Sequence, residues 1–432
     1  MALTRQDNES LVESQQSLQQ SYKEFKDAGL SLDLTRGKPS SAQLDLSNSL
    51  DGILNQEFTL QDGTDARNYG GITGTADARI LGGEMLDMDP QHVMAGGNSS
   101  LTFMYQYIAF ALLHGVDGQE SSWKSQADTS GAPVRFLCPV PGYDRHFTIC
   151  EHFGIEMLNV DFTDAGPDMD QIEARLAADP MIKGIWCVPK YSNPTGHTYS
   201  ESVVKRMAGL GKIAGPQFRI MWDNAYAVHY LKDRPADLTN LYAEAVKLGT
   251  EDSIVITGST SKVTYAGSGI SFLCASPGNL KAFQKHLSAS SIGPDKINQE
   301  RHVRLLKDIN GLLAHMSRHQ AILKPKFDKV QEILHNNLHN KNMGDWTVPT
   351  GGYFVSFDTL PGLAQEVVRL ANDAGVTLTP AGATYPYSQD DADRNIRLSP
   401  TFPGLDDLEQ AMNIFVVCVQ LASVNQALAA LA

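Results

Sequence analysis

Four short apolar runs constrain this chain more than any other feature. Val134–Cys138, Gly184–Val188, Phe218–Trp222 and Ile254–Thr257 are each followed at once by proline, glycine or polar residues, with helical stretches between them. Runs of this length without alternation read as strands buried on both faces, the mark of an α/β domain on a mostly parallel sheet. Farther on, Asp295–Arg318 reads as a long helical connection, and Trp346–Phe357 and Ile396–Ser399 read as strands. The first thirty residues carry Leu11, Leu18, Tyr22 and Phe25 at helical intervals and reach Gly29, a stop signal for a helix. The expected fold is α/β, a mostly parallel central sheet in a large domain, with a smaller α+β domain drawn from the chain ends. The expected divisions are 1–55 (N-terminal helix and loop), 56–305 (large domain) and 306–432 (C-terminal small domain).

Composition narrows the functions open to such a fold. Of 432 residues, 35 are Lys or Arg and 49 are Asp or Glu, a net charge of −14. That balance argues against a nucleic acid partner, which needs a basic face, and against an anionic membrane surface. The longest apolar runs, such as Leu101–Leu113, fall short of a membrane span. The opening MALTRQDNES has no basic stretch followed by an apolar core, so no leader is expected. Five well-separated cysteines, each in an apolar run, point to buried reduced thiols in a cytoplasmic protein rather than to a disulfide framework or a zinc site.

In a parallel sheet, ligand groups gather beyond the carboxyl ends of the strands, so those residues carry the functional reading. Ile254–Lys262 runs from a strand through Ser259, Thr260 and Ser261 into a lysine. A lone lysine is ordinarily a solvated surface group. Here serine hydroxyls suited to a phosphate precede it, and a lysine desolvated at a strand end has the lowered pKa needed to form a Schiff base with an aldehyde. A second strand delivers Asp223-Asn-Ala-Tyr226. Asp223 is either a helix cap or a buried partner for a protonated ring nitrogen, which keeps a heteroaromatic cofactor a good electron sink. A third delivers Asn193-Pro-Thr-Gly196, an ordinary turn by itself, whose Asn could donate to a phenolic oxygen. Gly96, Gly97, Asn98 and Ser99 precede a long apolar helix and offer backbone N–H groups to an anion. Phosphate cradle, ring-nitrogen partner, phenolate donor and Schiff-base lysine are together the inventory that pyridoxal 5′-phosphate requires.

With these residues in hand, the chain resembles a fold-type I pyridoxal-phosphate enzyme of the class I aminotransferase kind, from about Leu34 to Ser399. Eight motifs stand in the family's order: Tyr69-x-x-x-x-Gly74 with Arg79, Gly97-Asn98-Ser99, Pro139-Val-Pro-Gly-Tyr143, Asn193-Pro-Thr-Gly, Asp223-Asn-Ala-Tyr226, Ser259-Thr-Ser-Lys262, Gly351-Gly-Tyr-Phe354 and Asn395-Ile-Arg397-Leu-Ser. Pro-Gly-Tyr-Asp-Arg-His and Gly-Pro-Asp-Lys-Ile-Asn-Gln resemble a bacterial subgroup of aspartate aminotransferases akin to the aminotransferase domains of MocR-type regulators.

The resemblance implies a homodimeric transaminase acting on small amino and 2-oxo acids, aspartate and 2-oxoglutarate first among them. Donors of the aromatic or 2-aminoadipate kind, or β-lyase or decarboxylase chemistry, are the alternatives. It implies Lys262, Asp223 and Tyr226 as catalytic residues. Tyr69 (toward the neighbouring subunit's cofactor), Gly97, Asn98, Ser99, Tyr143, Asn193, Ser259, Ser261 and Ser268 would bind the cofactor with them. Gly37, Asn193 and Arg397 would bind substrate, the arginine through the α-carboxylate. Two departures stand out. The arginine usual eight residues after the lysine is absent; Ser268 is the expected stand-in, with Arg145 or Lys296 as sources of charge. The usual stacking aromatic aligns with Val140, so Tyr143 is offset. Arg36, Lys38 and Lys296 are the candidates for a substrate's distal carboxylate.

Overall fold

The computed structural model describes residues 8–116, 121–234 and 236–431; the expectations for residues 1–7 and 432 lie outside them. An eight-stranded sheet organises the middle of the chain. Its order is Val93–Ala95, Ser271–Ala275, Ile254–Ser259, Arg219–Asp223, Ile182–Cys187, Arg135–Val140, Glu156–Thr163, Gly166–Pro167. The pairings from Ile254–Ser259 across to Glu156–Thr163 are parallel and those nearer the edges antiparallel. All four anticipated runs are strands. Every residue of Ile182–Cys187 and of Arg219–Asp223 is buried, as strands covered by helices on both faces must be. The register sets Asp223 beside Thr257 and Cys187 beside Trp222, so the carboxyl ends of three strands finish at one level. Glu156–Thr163 and Ser271–Ala275 are strands that the sequence reading did not single out.

The chain ends meet. Helix Asn8–Asp27 packs along Leu405–Leu431, where Gln15 Nε2 donates to Asn425 Oδ1 at 2.7 Å. Leu32–Asp33 pairs in parallel with Val376–Thr377. A three-stranded antiparallel sheet, Gly344–Trp346, Val355–Thr359 and Asn395–Leu398, carries Arg397 opposite Ser356. Leu405–Leu431 is long and apolar enough to cross a membrane by composition alone. It lies instead against Asn8–Asp27, Ile309–Leu338 and Ala364–Asp373, with Leu408, Met412, Phe415 and Val419 buried.

Two expected elements are corrected. Trp346–Phe357 is not one strand: Trp346 pairs with Phe357 across an antiparallel ladder, and residues 347–354 loop between them. Pro349 and the Gly351-Gly352 pair break the run, Gly352 taking a φ of +82° that disfavours any side chain. Asp295–Arg318 divides into Lys296–Leu306 and the start of Ile309–Leu338, parted at Lys307 with φ +64°.

Candidate active site

Strand Ile254–Ser259 ends in a turn that Thr260 holds closed. Its carbonyl accepts the N–H groups of Val263 and Thr264, and its hydroxyl accepts Ile270 N–H at 2.8 Å. The turn presents Lys262, whose Nζ donates to Tyr226 Oη at 2.7 Å. Burial, with the charge of Arg397, lowers the amine's pKa to about 8, against the opposing pull of Asp223 and Asp144. Burial drives the Tyr226 phenol the other way, well above its ordinary range, so it stays protonated. The lysine's backbone is held as well. His229 Nε2 and Tyr353 Oη donate to the Lys262 carbonyl at 3.2 and 3.3 Å. Burial first, then the Lys262 charge, drops His229 to about 3, so the ring is neutral. Tyr353 Oη in turn accepts from Gln43 Nε2 at 3.0 Å, tying the N-terminal arm to the lysine turn.

These groups open onto a cavity of about 180 Å³ lined by Ser99, Tyr143, Asn193, Asp223, Tyr226, Ser259, Ser261 and Lys262, among others. Asp223 is buried. Its Oδ2 meets His146 Nε2 at 3.0 Å, and its Oδ1 has no partner. An orphaned buried carboxylate oxygen is costly unless a donor completes it. The sequence reading missed His146, which stacks on Trp186 at 4.3 Å and 9°. The available signal was its place three residues after Tyr143 in a helix that starts at Asp144. Tyr143 lines the cavity, edge-on to His146 at 4.9 Å, whereas the buried Val140 does not line it.

At the other end stands the amino terminus of helix Ser100–His114. Ser99 is its N-cap, yet its side chain makes no cap hydrogen bond, which leaves first-turn N–H groups for an anion. Ser261 Oγ donates to the Asn98 carbonyl, and Asn98 Nδ2 to the Gly267 carbonyl at 3.1 Å. Gly97 and Asn98 line the adjoining depression, with Ser99 common to both.

Other anticipated residues lie elsewhere. Ser268 is exposed and does not line the cavity. Arg145 is exposed too. Tyr69 is 84% exposed and contributes nothing to this chain's own cavity. Lys296 is buried with its Nζ on the carbonyls of Asn68 and Gly70, at 2.6 and 2.9 Å, where it braces the loop that bears Tyr69. Lys38 Nζ sits over the Phe402 ring at 3.9 Å, and Arg36 is exposed. Lys262 is the one cation lining the cavity among the described residues.

Arg397 comes from the small sheet and is almost wholly buried. Its Nη1 donates to Asp144 Oδ1 at 3.0 Å and Asn193 Oδ1 at 3.3 Å. The guanidinium lies 4.9 Å from the centre of the Phe354 ring. A Cβ on Gly37 would come within 2.2 Å of that ring, so only glycine lets the N-terminal loop lie this close. Asp144, Phe354 and Tyr353 join the site without having been assigned roles from sequence.

Residues 6–430, nearly the whole chain, match the aspartate amino-transferase family. The chain belongs to this family. An aspartate aminotransferase of Corynebacterium glutamicum is 43% identical over 409 residues, spanning 94% of this chain and 93% of that protein. The crystal structure of an aspartate transaminase from C. glutamicum superposes with a TM-score of 0.94 at 41% identity over 99% of both chains. The α-aminoadipate aminotransferase LysN of Thermus thermophilus, solved with N-(5′-phosphopyridoxyl)-L-leucine, shares the fold at a TM-score of 0.73 and 20% identity, over 93% of this chain and 94% of that one. The protein is therefore a fold-type I, pyridoxal-phosphate-dependent aminotransferase. Its cavity fits the cofactor on three counts: an orphaned Asp223 oxygen for the protonated ring nitrogen, uncapped helix amides with serine hydroxyls for the phosphate, and a desolvated lysine for the aldehyde.

Proposed function

We propose that this aminotransferase moves the amino group of L-aspartate to 2-oxoglutarate, giving oxaloacetate and L-glutamate. One observation carries the reading of the site: Lys262 Nζ, 2.7 Å from Tyr226 Oη, opens onto the same cavity as Asp223, while Arg397 stands on Asn193 beside it. The donor class comes from the C. glutamicum aspartate aminotransferase, to which almost the whole chain is similar.

In this reading Lys262 holds the aldehyde, Asp223 the ring nitrogen and Tyr143 the ring face. Gly97, Asn98, Ser99, Ser259 and Ser261 surround the phosphate. Bound there, pyridoxal phosphate supplies an electron sink for charge developing at the substrate's α-carbon. The protein does the rest. Arg397 grips the α-carboxylate and fixes which bond at Cα faces the lysine. Nζ of Lys262, once the substrate's own amino group has replaced it on the aldehyde, would take the α-proton; burial lowers the pKa of the free amine to about 8, so part of it is neutral near physiological pH. Tyr226 donates from a phenol that burial keeps protonated. Asn193 gives its Oδ1 to Arg397, which leaves Nδ2 as the donor for a phenolate oxygen.

For the distal carboxylate we favour Arg36. Lys296 is committed to two carbonyls and Lys38 to Phe402, whereas Arg36 adjoins Gly37 against the ring that covers Arg397. We further propose a cytoplasmic homodimer in which Tyr69 serves the opposite site, with domain divisions near residues 55 and 305. The exposure of Tyr69 and the brace from Lys296 support the shared site; five free, buried thiols support a reducing compartment. Mixing a Lys262 variant with a Tyr69 variant tests the sharing, since hybrid dimers regain activity only if sites are built from both chains. A panel of amino donors with 2-oxoglutarate tests the reaction: aspartate should give glutamate and oxaloacetate in equal amounts. Preference for aromatic or 2-aminoadipate donors, or an oxo acid released without glutamate, would overturn it.

A further inference from the structure

Arg397 is not a bare receptor, because a carboxylate of this same chain already sits on it. Asp144 Oδ1 lies 3.0 Å from Nη1. The two side chains differ in burial, 9% exposed for the arginine and 35% for the aspartate. Arg397 Nε is enclosed and has no partner, so an entering carboxylate has the Nη1/Nη2 end of the guanidinium to bind, and Nη1 is where Asp144 rests. Nη2 is nearly uncommitted, with Thr379 Oγ1 at 3.5 Å as its contact.

We propose that Asp144 is an internal competitor for the substrate's α-carboxylate and thereby sets the affinity of the enzyme for every amino and oxo acid it handles. The proposal rests on the reading of Arg397 as the α-carboxylate receptor. A buried guanidinium without a counter-ion is costly, and Asp144 supplies one. Substrate entry is then an exchange of one carboxylate for another at constant charge. Asp144 can leave cheaply. It occupies the first residue of helix Asp144–Phe153, where N-terminal N–H groups favour an anion, and its side chain already borders solvent. Product release runs the exchange backwards. Because donor and acceptor present the same α-carboxylate, the competition reduces both apparent affinities by the same factor, the inverse of the fraction of enzyme with Arg397 unoccupied.

The test is Asp144→Asn, with Asp144→Ala beside it so that a residual amide contact or a poorly folded variant does not decide the matter. Asp144→Asn should lower KM for aspartate and for 2-oxoglutarate together, by roughly tenfold each. The Kd of maleate, a dicarboxylate that cannot transaminate, should fall in parallel. KM values unchanged or raised in both variants overturn the proposal and make Asp144 a positioning residue for the guanidinium. Arg397→Lys in the same series separates the two readings: if that variant leaves KM and maleate binding unaltered, the receptor assignment fails, whatever Asp144 does.

Discussion

Two walls of the site, the strand ends that line the cavity and the small sheet that brings Arg397 beside it, are built on opposite plans. The wall formed by the ends of the central strands is locked by buried contacts. Lys262 is held at both ends, at Nζ by Tyr226 and at its carbonyl by His229 and Tyr353, and Asp223 is fixed by His146 on the Trp186 ring. The wall from the small sheet is charged, and its central contact is one ion pair with a half-exposed partner. A cofactor stays through many turnovers, so its side is rigid and carries an unfilled acceptor. Substrates enter and leave each cycle, and in the reading proposed above Arg397 is compensated in advance by Asp144, a group that can step aside.

The contrast can be attacked from both sides. Removing the amine on the rigid wall has the largest effect: Lys262→Ala should cut turnover by about a thousandfold, the scale of a lost proton-transfer group, and erase the lysine-dependent visible absorbance of the bound cofactor. Retained activity would mean that the wall's central residue is misassigned. On the charged wall, Arg397→Lys keeps the charge but loses the planar fork. KM for both substrates should rise about tenfold to a hundredfold, with a smaller change in kcat. Next comes the support behind Asp223. His146→Asn removes the stack on Trp186 and weakens the grip on Oδ2, and should lower kcat by about tenfold while leaving KM close to wild type. If KM moves instead, His146 serves the substrate side. The smallest effect is a shift of midpoint. Burial disfavours the protonated amine, so in cofactor-free protein the neutral, reactive form of Lys262 gains as pH rises through about 8. Lysine-directed labelling at that position should follow this curve rather than one centred near an ordinary lysine's ~10.4.

The rigid wall was the more legible in sequence, for a physical reason. Asp223 follows an apolar run directly and Asn193 and Lys262 follow theirs within five residues, and a parallel sheet brings such positions to one edge whatever the intervening loops do. The charged wall depends on long-range docking. Nothing in the spacing of Arg397 and Asp144, 253 residues apart, announces that they touch. His146 was hidden by its helix, because a buried histidine on a helical face reads as core. Ser268 stands exposed outside the residues that line the cavity, because position in a motif fixes where a backbone passes rather than what its side chain faces. Trp346–Phe357 was misread as one strand because its apolar residues flank a glycine pair that sends the loop to Tyr191 and His229.

The chain of contacts from Gln43 through Tyr353 to the Lys262 carbonyl means that the reactive lysine is steadied from a distant part of the sequence. Shortening the protein from its amino end past that glutamine would leave all eight motifs in place, yet besides removing Arg36 and Gly37 it would slacken the peptide on which the amine rides. The leading segment belongs to the chemistry as surely as the sheet does.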